Sequence, residues 1–173
     1  QKYIDLYEKY RKGNLNRRDF LKRLAYLAGG TAAAVSLLPV LEKNAVAAQV
    51  VAENDPRLNT EYIQYTGAAG DVRAYKACPK DADKLPAVIV IHENRGLQPH
   101  IEDVVRRVAL EGYVAIGPDA LSPLGGTTKN PDDDRTKMRK LDRESTVKNF
   151  VAAVAYLNTH PKTTGKVGCM GFC

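Results

Sequence analysis

The sequence of 173 residues has room for one domain and an extension, and its hydrophobic content of 44% is typical of globular proteins. The formal net charge of +6 is unevenly distributed, because residues 1–48 hold nine Lys and Arg against four Asp and Glu, whereas residues 49–173 hold seventeen against sixteen. The larger part of the chain therefore has no basic excess, which excludes nucleic acid as an expected partner.

The three cysteines, Cys78, Cys169 and Cys173, are an odd number and predict no disulfide framework. Cys169 and Cys173 are four residues apart, a spacing that would suit a metal on a helix, but no second Cys/His pair accompanies them. The sequence therefore predicts no metal site and no cofactor. A thiol redox protein is a third, less favoured hypothesis, since the C-x-x-C spacing is lacking.

The first 47 residues have the order of an export signal. A basic region with Arg17 and Arg18 is followed by an apolar run over 24–41 and by the small-residue cleavage pattern 45–47. The arginine pair followed by x-Phe-Leu-Lys resembles a twin-arginine signal, in which Arg17 and Arg18 are the recognition residues. The resemblance implies the twin-arginine export machinery as a partner and a periplasmic protein that begins near Ala48.

Two alternatives to a cleaved signal stay open. Residues 24–41 are about long enough to span a bilayer and could anchor the chain in a membrane, although the glycines, the serine and the proline within them favour a cleaved segment. If the signal is not used, the protein is cytoplasmic. The predicted organisation is an export signal over 1–47, a linker over 48–57 and a domain over 58–173.

Beyond the linker, the hydrophobic pattern predicts strands and helices in alternation. Residues 60–66 and 71–78 alternate apolar and polar around a glycine-containing turn, which predicts a hairpin, and the β-branched run 86–92 predicts a buried parallel strand. The elements expected next are a helix from 101 to about 112, a strand over 113–117, a loop over 121–134, one amphipathic helix over 138–157 and a buried strand over 167–172. A hairpin followed by βαβαβ predicts an α/β fold with a parallel sheet.

The last residues, Gly171-Phe172-Cys173, match the first half of a nucleophile elbow with cysteine in place of serine. The residue two before the nucleophile must be small, a condition that Gly171 meets for Cys173 and Val167 does not meet for Cys169. Cys173 is therefore the candidate nucleophile, and the alternative is that both cysteines are small buried residues. His92 is expected to be a hydrogen-bonded core residue, because the catalytic histidine of this architecture follows the nucleophile.

Residues 58–173 resemble the dienelactone hydrolase family, through Gly171-Phe172-Cys173, Gly117-Pro118-Asp119 and the run from Val90 to Leu97. The resemblance implies the N-terminal half of an α/β-hydrolase fold with an incomplete sheet, and hydrolysis of carboxylic esters or lactones through an acyl-enzyme on Cys173. It also implies that Glu93 holds the resting thiol by a hydrogen bond and that the backbone N–H of Asn94 is an oxyanion donor. The dienelactone enzymes of the family carry a substrate-binding arginine where residues 120–123 have none, so dienelactone is not the expected substrate.

The chain ends at the candidate nucleophile, whereas the acid and the histidine of the triad come later in the family's order. We therefore expect a truncated fragment, for example a pseudogene product, that is inactive alone and exposes an apolar sheet edge. The alternative is a non-catalytic binding or assembly protein, or one half of a split hydrolase that a C-terminal complementing chain completes.

Overall fold

A computed structural model of the chain describes residues 2–11, 15–46 and 50–172. The chain divides into two compact units between residues 49 and 50. The predicted nucleophile Cys173 and the two residues at the predicted cleavage point, Ala47 and Ala48, lie outside the described residues.

The first unit consists of three helices, α1 (Lys2–Arg11), α2 (Arg17–Ala28) and α3 (Thr31–Val46). The side chain of Asn16 caps α2 by accepting a hydrogen bond from the Asp19 N–H at 2.9 Å. Phe20 and Leu24 of α2 are buried against residues of α1 and α3, and the ring of Phe20 stacks on Tyr10 at 4.6 Å between centroids. The apolar side of the predicted signal is therefore covered by its own neighbouring helices.

None of the described helices is long and apolar enough to cross a membrane by itself. Helix α2 and the Thr31–Leu41 part of α3 together reach the length and composition of a span, but they meet at a bend of 108°. The export signal with Arg17 and Arg18, its cleavage, and the membrane-anchored and cytoplasmic alternatives stay predictions.

The second unit contains a mixed sheet of five strands in the order β1-β2-β4-β3-β5. Strand β1 pairs antiparallel with β2 and β2 antiparallel with β4, whereas β3 pairs parallel with both β4 and β5. The strands are β1 (Leu58–Gly67), β2 (Gly70–Pro79), β3 (Leu85–Ile91), β4 (Val114–Pro118) and β5 (Thr163–Gly171). The predicted hairpin, the parallel strands and the α/β fold class are confirmed.

Helices α4 (Pro99–Leu110) and α6 (Arg143–Thr159) cover opposite faces of this sheet. Successive residues of a strand point to opposite faces, so Val90 packs in the cluster of α4 and Ile89 in the cluster of α6. On the apolar face that the sequence predicts for α4, Ile101 and Val105 are completely buried, and Val104 and Val108 are partly buried. Helices α4 and α6 thus cover the two faces of the sheet and leave the ends of the strands uncovered.

The prediction of one helix over 138–157 is wrong, because the structure has α5 (Pro131–Met138) and a separate α6. The carboxylate of Asp142 accepts a hydrogen bond from the Ser145 N–H at 2.8 Å and so begins a new helix. The predicted loop over 121–134 also ends early, since Asn130 caps α5 at Pro131.

The predicted burial of the last strand is also wrong. Strand β5 begins at Thr163, and among its residues only Thr163 is buried, whereas Cys169 and Met170 are exposed. The reason is that β5 pairs with β3 on one side only, so that it forms an edge of the sheet. Strand β5 is therefore the exposed sheet edge that the sequence analysis expects.

Candidate functional site

The candidate site lies at the edge of the sheet where β3, β4 and β5 have their carboxyl ends. Ile91, the last residue of β3, pairs with Gly171, the last residue of β5. One residue further, the Phe172 N–H donates a hydrogen bond to the Ile91 carbonyl oxygen at 3.1 Å. The end of β5 therefore lies beside the segment that begins with His92 and Glu93, and the predicted nucleophile Cys173 is the next residue in the chain.

The segment after β3 is a tight turn over residues 93–96. The Gly96 N–H faces the Glu93 carbonyl oxygen at 3.4 Å, and Gly96 has a φ of +78°, in the left-handed region that glycine adopts without strain. Asn94 lies exposed within the turn, and none of the described hydrogen bonds uses its backbone N–H. The oxyanion function of the Asn94 N–H stays a prediction.

The turn is held by Asp119, a completely buried carboxylate directly after β4. One carboxylate oxygen accepts hydrogen bonds from the Leu121 N–H at 3.0 Å and the Thr127 hydroxyl at 2.8 Å, and the other accepts from the Thr127 N–H at 2.7 Å. The Thr127 oxygen in turn accepts the Leu97 N–H at 2.7 Å. The carboxylate of Asp119, which directly follows β4, thus joins the loops after β3 and β4.

A second buried carboxylate, that of Asp134, supports the same turn. It accepts hydrogen bonds from the Thr128 N–H at 3.0 Å and from the side-chain amide of Gln98 at 3.1 Å. The Gln98 amide also donates to the Arg95 carbonyl oxygen at 2.8 Å. The loop after β4, of which the sequence pattern indicates only the length, is thus fastened to the turn by two buried acids.

His92 is buried and uses both ring nitrogens in hydrogen bonds. The Ala120 N–H can only donate, so Nε2, 3.0 Å away, must be the acceptor. The carbonyl oxygen of Glu93 can only accept, so Nδ1, at 2.6 Å, must carry the proton. His92 is therefore a neutral, hydrogen-bonded residue, as predicted, and has no free nitrogen to act as a base.

Glu93 pairs with His100, the second residue of α4. The Nε2 atom of His100 lies 2.9 and 3.0 Å from the two carboxylate oxygens. Burial would raise the pKa of Glu93, but the hydrogen bond and the charge of His100 act against it, and the pKa is lowered overall. His100 directly precedes the helix that the sequence predicts from residue 101, and it lies in the first turn of α4. Its pairing with Glu93 was missed, and the only sequence clue to that pairing is the start of α4 at Pro99.

The other described thiols and the third histidine lie away from this edge. Cys78 is buried in β2, whereas Cys169 is exposed on β5, so the alternative that both Cys169 and Cys173 are small buried residues does not hold for Cys169. His160 directly follows the last residue of α6, and its Nε2 lies 3.0 Å from Lys76 Nζ near the amino end of β5. Within the described residues, no group of three or more His, Cys, Asp and Glu side chains is arranged to hold a metal ion.

Three comparisons with known proteins agree with this geometry. The chain is 46% identical over 112 residues to a presumed hydrolase fragment, YghX of Escherichia coli K12, and 39% identical over 75 residues to a presumed carboxymethylenebutenolidase of the same organism. The crystal structure of a presumed dienelactone hydrolase from Klebsiella pneumoniae superposes with a TM-score of 0.58 at 26% identity and covers 67% of this chain. These similarities support a partial α/β-hydrolase fold.

The chain spans 96% of YghX, but only 28% of the carboxymethylenebutenolidase and 50% of the Klebsiella structure. The model of the dienelactone hydrolase family matches residues 72–173, more than half of the chain, including the hairpin's second strand and the whole candidate site. The chain therefore belongs to the dienelactone hydrolase family.

Proposed function

We propose that residues 50–173 form the nucleophile-bearing half of a hydrolase that acts on carboxylic esters or lactones, with Cys173 as the nucleophile. The proposal rests on one observation. The hydrogen bond from the Phe172 N–H to the Ile91 carbonyl oxygen fixes the end of β5 beside the turn over residues 93–96, which we call the Glu93 turn. The proposal places the thiol that follows Phe172 within reach of Glu93 and the Asn94 N–H, which is the arrangement that a cysteine elbow needs.

The reaction would proceed through a thioester. The Cys173 thiolate forms a bond to the carbonyl carbon, the bond from that carbon to the ester oxygen breaks, and the alcohol leaves with a proton. Water then cleaves the thioester to give the carboxylic acid and the free thiol. The Asn94 N–H would stabilise the oxyanion, and the Glu93 carboxylate would favour the neutral thiol in the resting state by its negative charge.

Each of the three histidines of the chain is occupied elsewhere. His92 has both nitrogens in hydrogen bonds, and His100 donates to Glu93. His160 precedes β5, about 25 Å from its carboxyl end at the usual rise per residue of a strand. Within residues 2–11, 15–46 and 50–172, no histidine is therefore placed to activate water at the end of β5, and we propose that this polypeptide forms the thioester but does not hydrolyse it.

A chromogenic ester such as p-nitrophenyl acetate tests this proposal. We expect one equivalent of p-nitrophenolate per chain, released at least about tenfold faster than by an unassisted surface thiol because of the oxyanion donor, and then no steady hydrolysis. Cys173→Ala should abolish the fast release of p-nitrophenolate, and the control Cys169→Ala should keep it. Release that survives in Cys173→Ala would contradict the nucleophile, and sustained turnover would contradict the inactivity.

A second candidate function is a binding or assembly protein, or one half of a split hydrolase. The observation that favours it is the exposed surface of β5 and α6, where Met170, Phe172, Val147 and Val151 are all accessible. A C-terminal complementing chain that carries an aspartate and a histidine would cover this surface. Its co-purification with the chain, or a stop codon directly after Cys173 in the source DNA, would favour this candidate over an ordinary hydrolase.

We also propose that the twin-arginine machinery exports the protein to the periplasm. Asp103 accepts hydrogen bonds from the N–H groups of Val50 and Val51 at 3.0 and 2.8 Å, so the second unit is anchored from its first described residues. Removal of the segment before it would leave this anchor intact. Exchange of Arg17 and Arg18 for lysine should leave the protein in the cytoplasmic fraction, and unchanged periplasmic accumulation would contradict the proposal.

A further inference from the structure

The interaction between Glu93 and His100 shows which ring nitrogen of His100 carries a proton. An ionised carboxylate can only accept hydrogen bonds, so the His100 Nε2 atom that faces both of its oxygens must carry the proton. The other ring nitrogen, Nδ1, is buried without a partner among the described residues. Nε2 is therefore the nitrogen that binds Glu93, and Nδ1 makes no described contact that would compete with the pair.

The position of His100 at the start of α4 supports the same protonation states. Pro99 is the first residue of the helix, and the Gln98 side chain does not cap it. The positive end of the helix dipole therefore lies at His100, and it stabilises the negative charge of the carboxylate bound to that residue. Both the hydrogen bond and the helix end hold Glu93 as an anion on the α4 side of the turn.

We propose that His100 is a positioning residue, which by binding both carboxylate oxygens of Glu93 limits how much of that negative charge acts on the nucleophile after β5. The inference rests on the proposed function, since it needs Cys173 beside the Glu93 turn. Without His100, the carboxylate would be free to turn toward the thiol and hold its proton more firmly. His100 would thus set the share of reactive thiolate without touching the substrate.

Two other ionisable groups act near Glu93. His92 precedes it at the end of β3 and is held neutral by its two hydrogen bonds, so it adds no full charge. Arg95 follows two residues later in the same turn. Neither group is altered by a substitution at residue 100, so a change in thiol reactivity after such a substitution reports on the pair of Glu93 and His100.

The experiment measures the rate of alkylation of Cys173 by iodoacetamide as a function of pH, with the modified peptide quantified by mass spectrometry. We expect His100→Ala to raise the midpoint of the profile by at least about half a pH unit and Glu93→Gln to lower it. In the Glu93→Gln background, His100→Ala should have no effect. His100→Gln, whose amide can donate in place of Nε2, should restore the wild-type profile.

The outcomes separate the inference from the function on which it rests. If Glu93→Gln leaves the Cys173 profile unchanged, Glu93 does not act on the thiol and the proposed function fails with the inference. If Glu93→Gln shifts the profile but His100→Ala does not, or if His100→Ala acts equally without Glu93, only the inference is overturned. The imidazole nitrogen NMR shifts of the unmodified protein give a further test that needs no variant, since a proton on Nδ1 rather than Nε2 would overturn it.

Discussion

Replacement of Asp119 by alanine should lower the free energy of unfolding of the second unit by about 3 kcal/mol or more. The carboxylate is completely buried and accepts three hydrogen bonds, two from Thr127 and one from the Leu121 N–H. Its removal leaves one buried donor, the Leu121 N–H, and the two part-buried donors of Thr127 without an acceptor, and an unsatisfied buried donor costs about 1–3 kcal/mol before water or rearrangement compensates. The Thr127 hydroxyl would also lose its fixed orientation toward the Leu97 N–H.

The measurement is native-state hydrogen exchange of the amides in β3 and β4, whose slowest members report global unfolding of this unit. Asp83→Ala is the control, since Asp83 is exposed, and it should change the free energy by less than about 0.5 kcal/mol. Asp119→Asn should fall between the two, because an amide can replace only one of the accepting oxygens. A loss below about 1 kcal/mol in Asp119→Ala would contradict the view that this carboxylate holds the two loops together.

Gly96→Ala should destabilise the second unit by roughly 3 kcal/mol, through two separate effects. The φ of +78° strains any residue with a side chain. In addition, an alanine Cβ would collide with the Thr127 hydroxyl oxygen and lie 3.0 Å from the Leu121 Cδ1 atom. The collision falls on the hydrogen bond to the Leu97 N–H, so the turn that carries Asn94 would shift as well.

Gly112→Ala is the matched control, because Gly112 has a φ of +90° but an alanine Cβ at this position would have no described neighbour within 4 Å. It should cost about 1 kcal/mol, which is the backbone strain alone. The difference between the two variants measures the contact with Thr127, and Thr127→Ala should recover part of it when combined with Gly96→Ala. Equal costs for Gly96→Ala and Gly112→Ala would show that the close packing of the two loops does not matter for stability.

The hairpin, β3 and α4 could be predicted from the sequence because their local hydrophobic patterns match their burial. The β-branched run that forms β3 is buried on both faces, and Ile101 and Val105 of α4 recur at helical spacing. The Glu93 turn could be located from the sequence because it follows the end of a predicted strand and contains Gly96. These features depend on neighbours a few residues apart, which a local pattern records.

Other features depend on single side chains or on distant pairings. The break between α5 and α6 is made by the cap of Asp142, one polar residue among many in that stretch. The exposure of β5 depends on which strands pair, and its own apolar residues do not indicate an edge position. The hydrogen bonds of Thr127 to both Asp119 and Leu97 join two loops that are far apart in the sequence, a contact that no periodicity reports.

The location of the acyl group after reaction with an activated ester tests the central claim most directly. The chain is treated with p-nitrophenyl acetate, quenched in acid and digested, and the acetylated cysteine is identified by mass spectrometry. The exposed Cys169 and the buried Cys78 serve as internal controls in the same molecule. We predict that the acetyl group transferred in the fast phase is found on Cys173. Acetylation of Cys169 at the same or a higher rate would contradict Cys173 as the nucleophile.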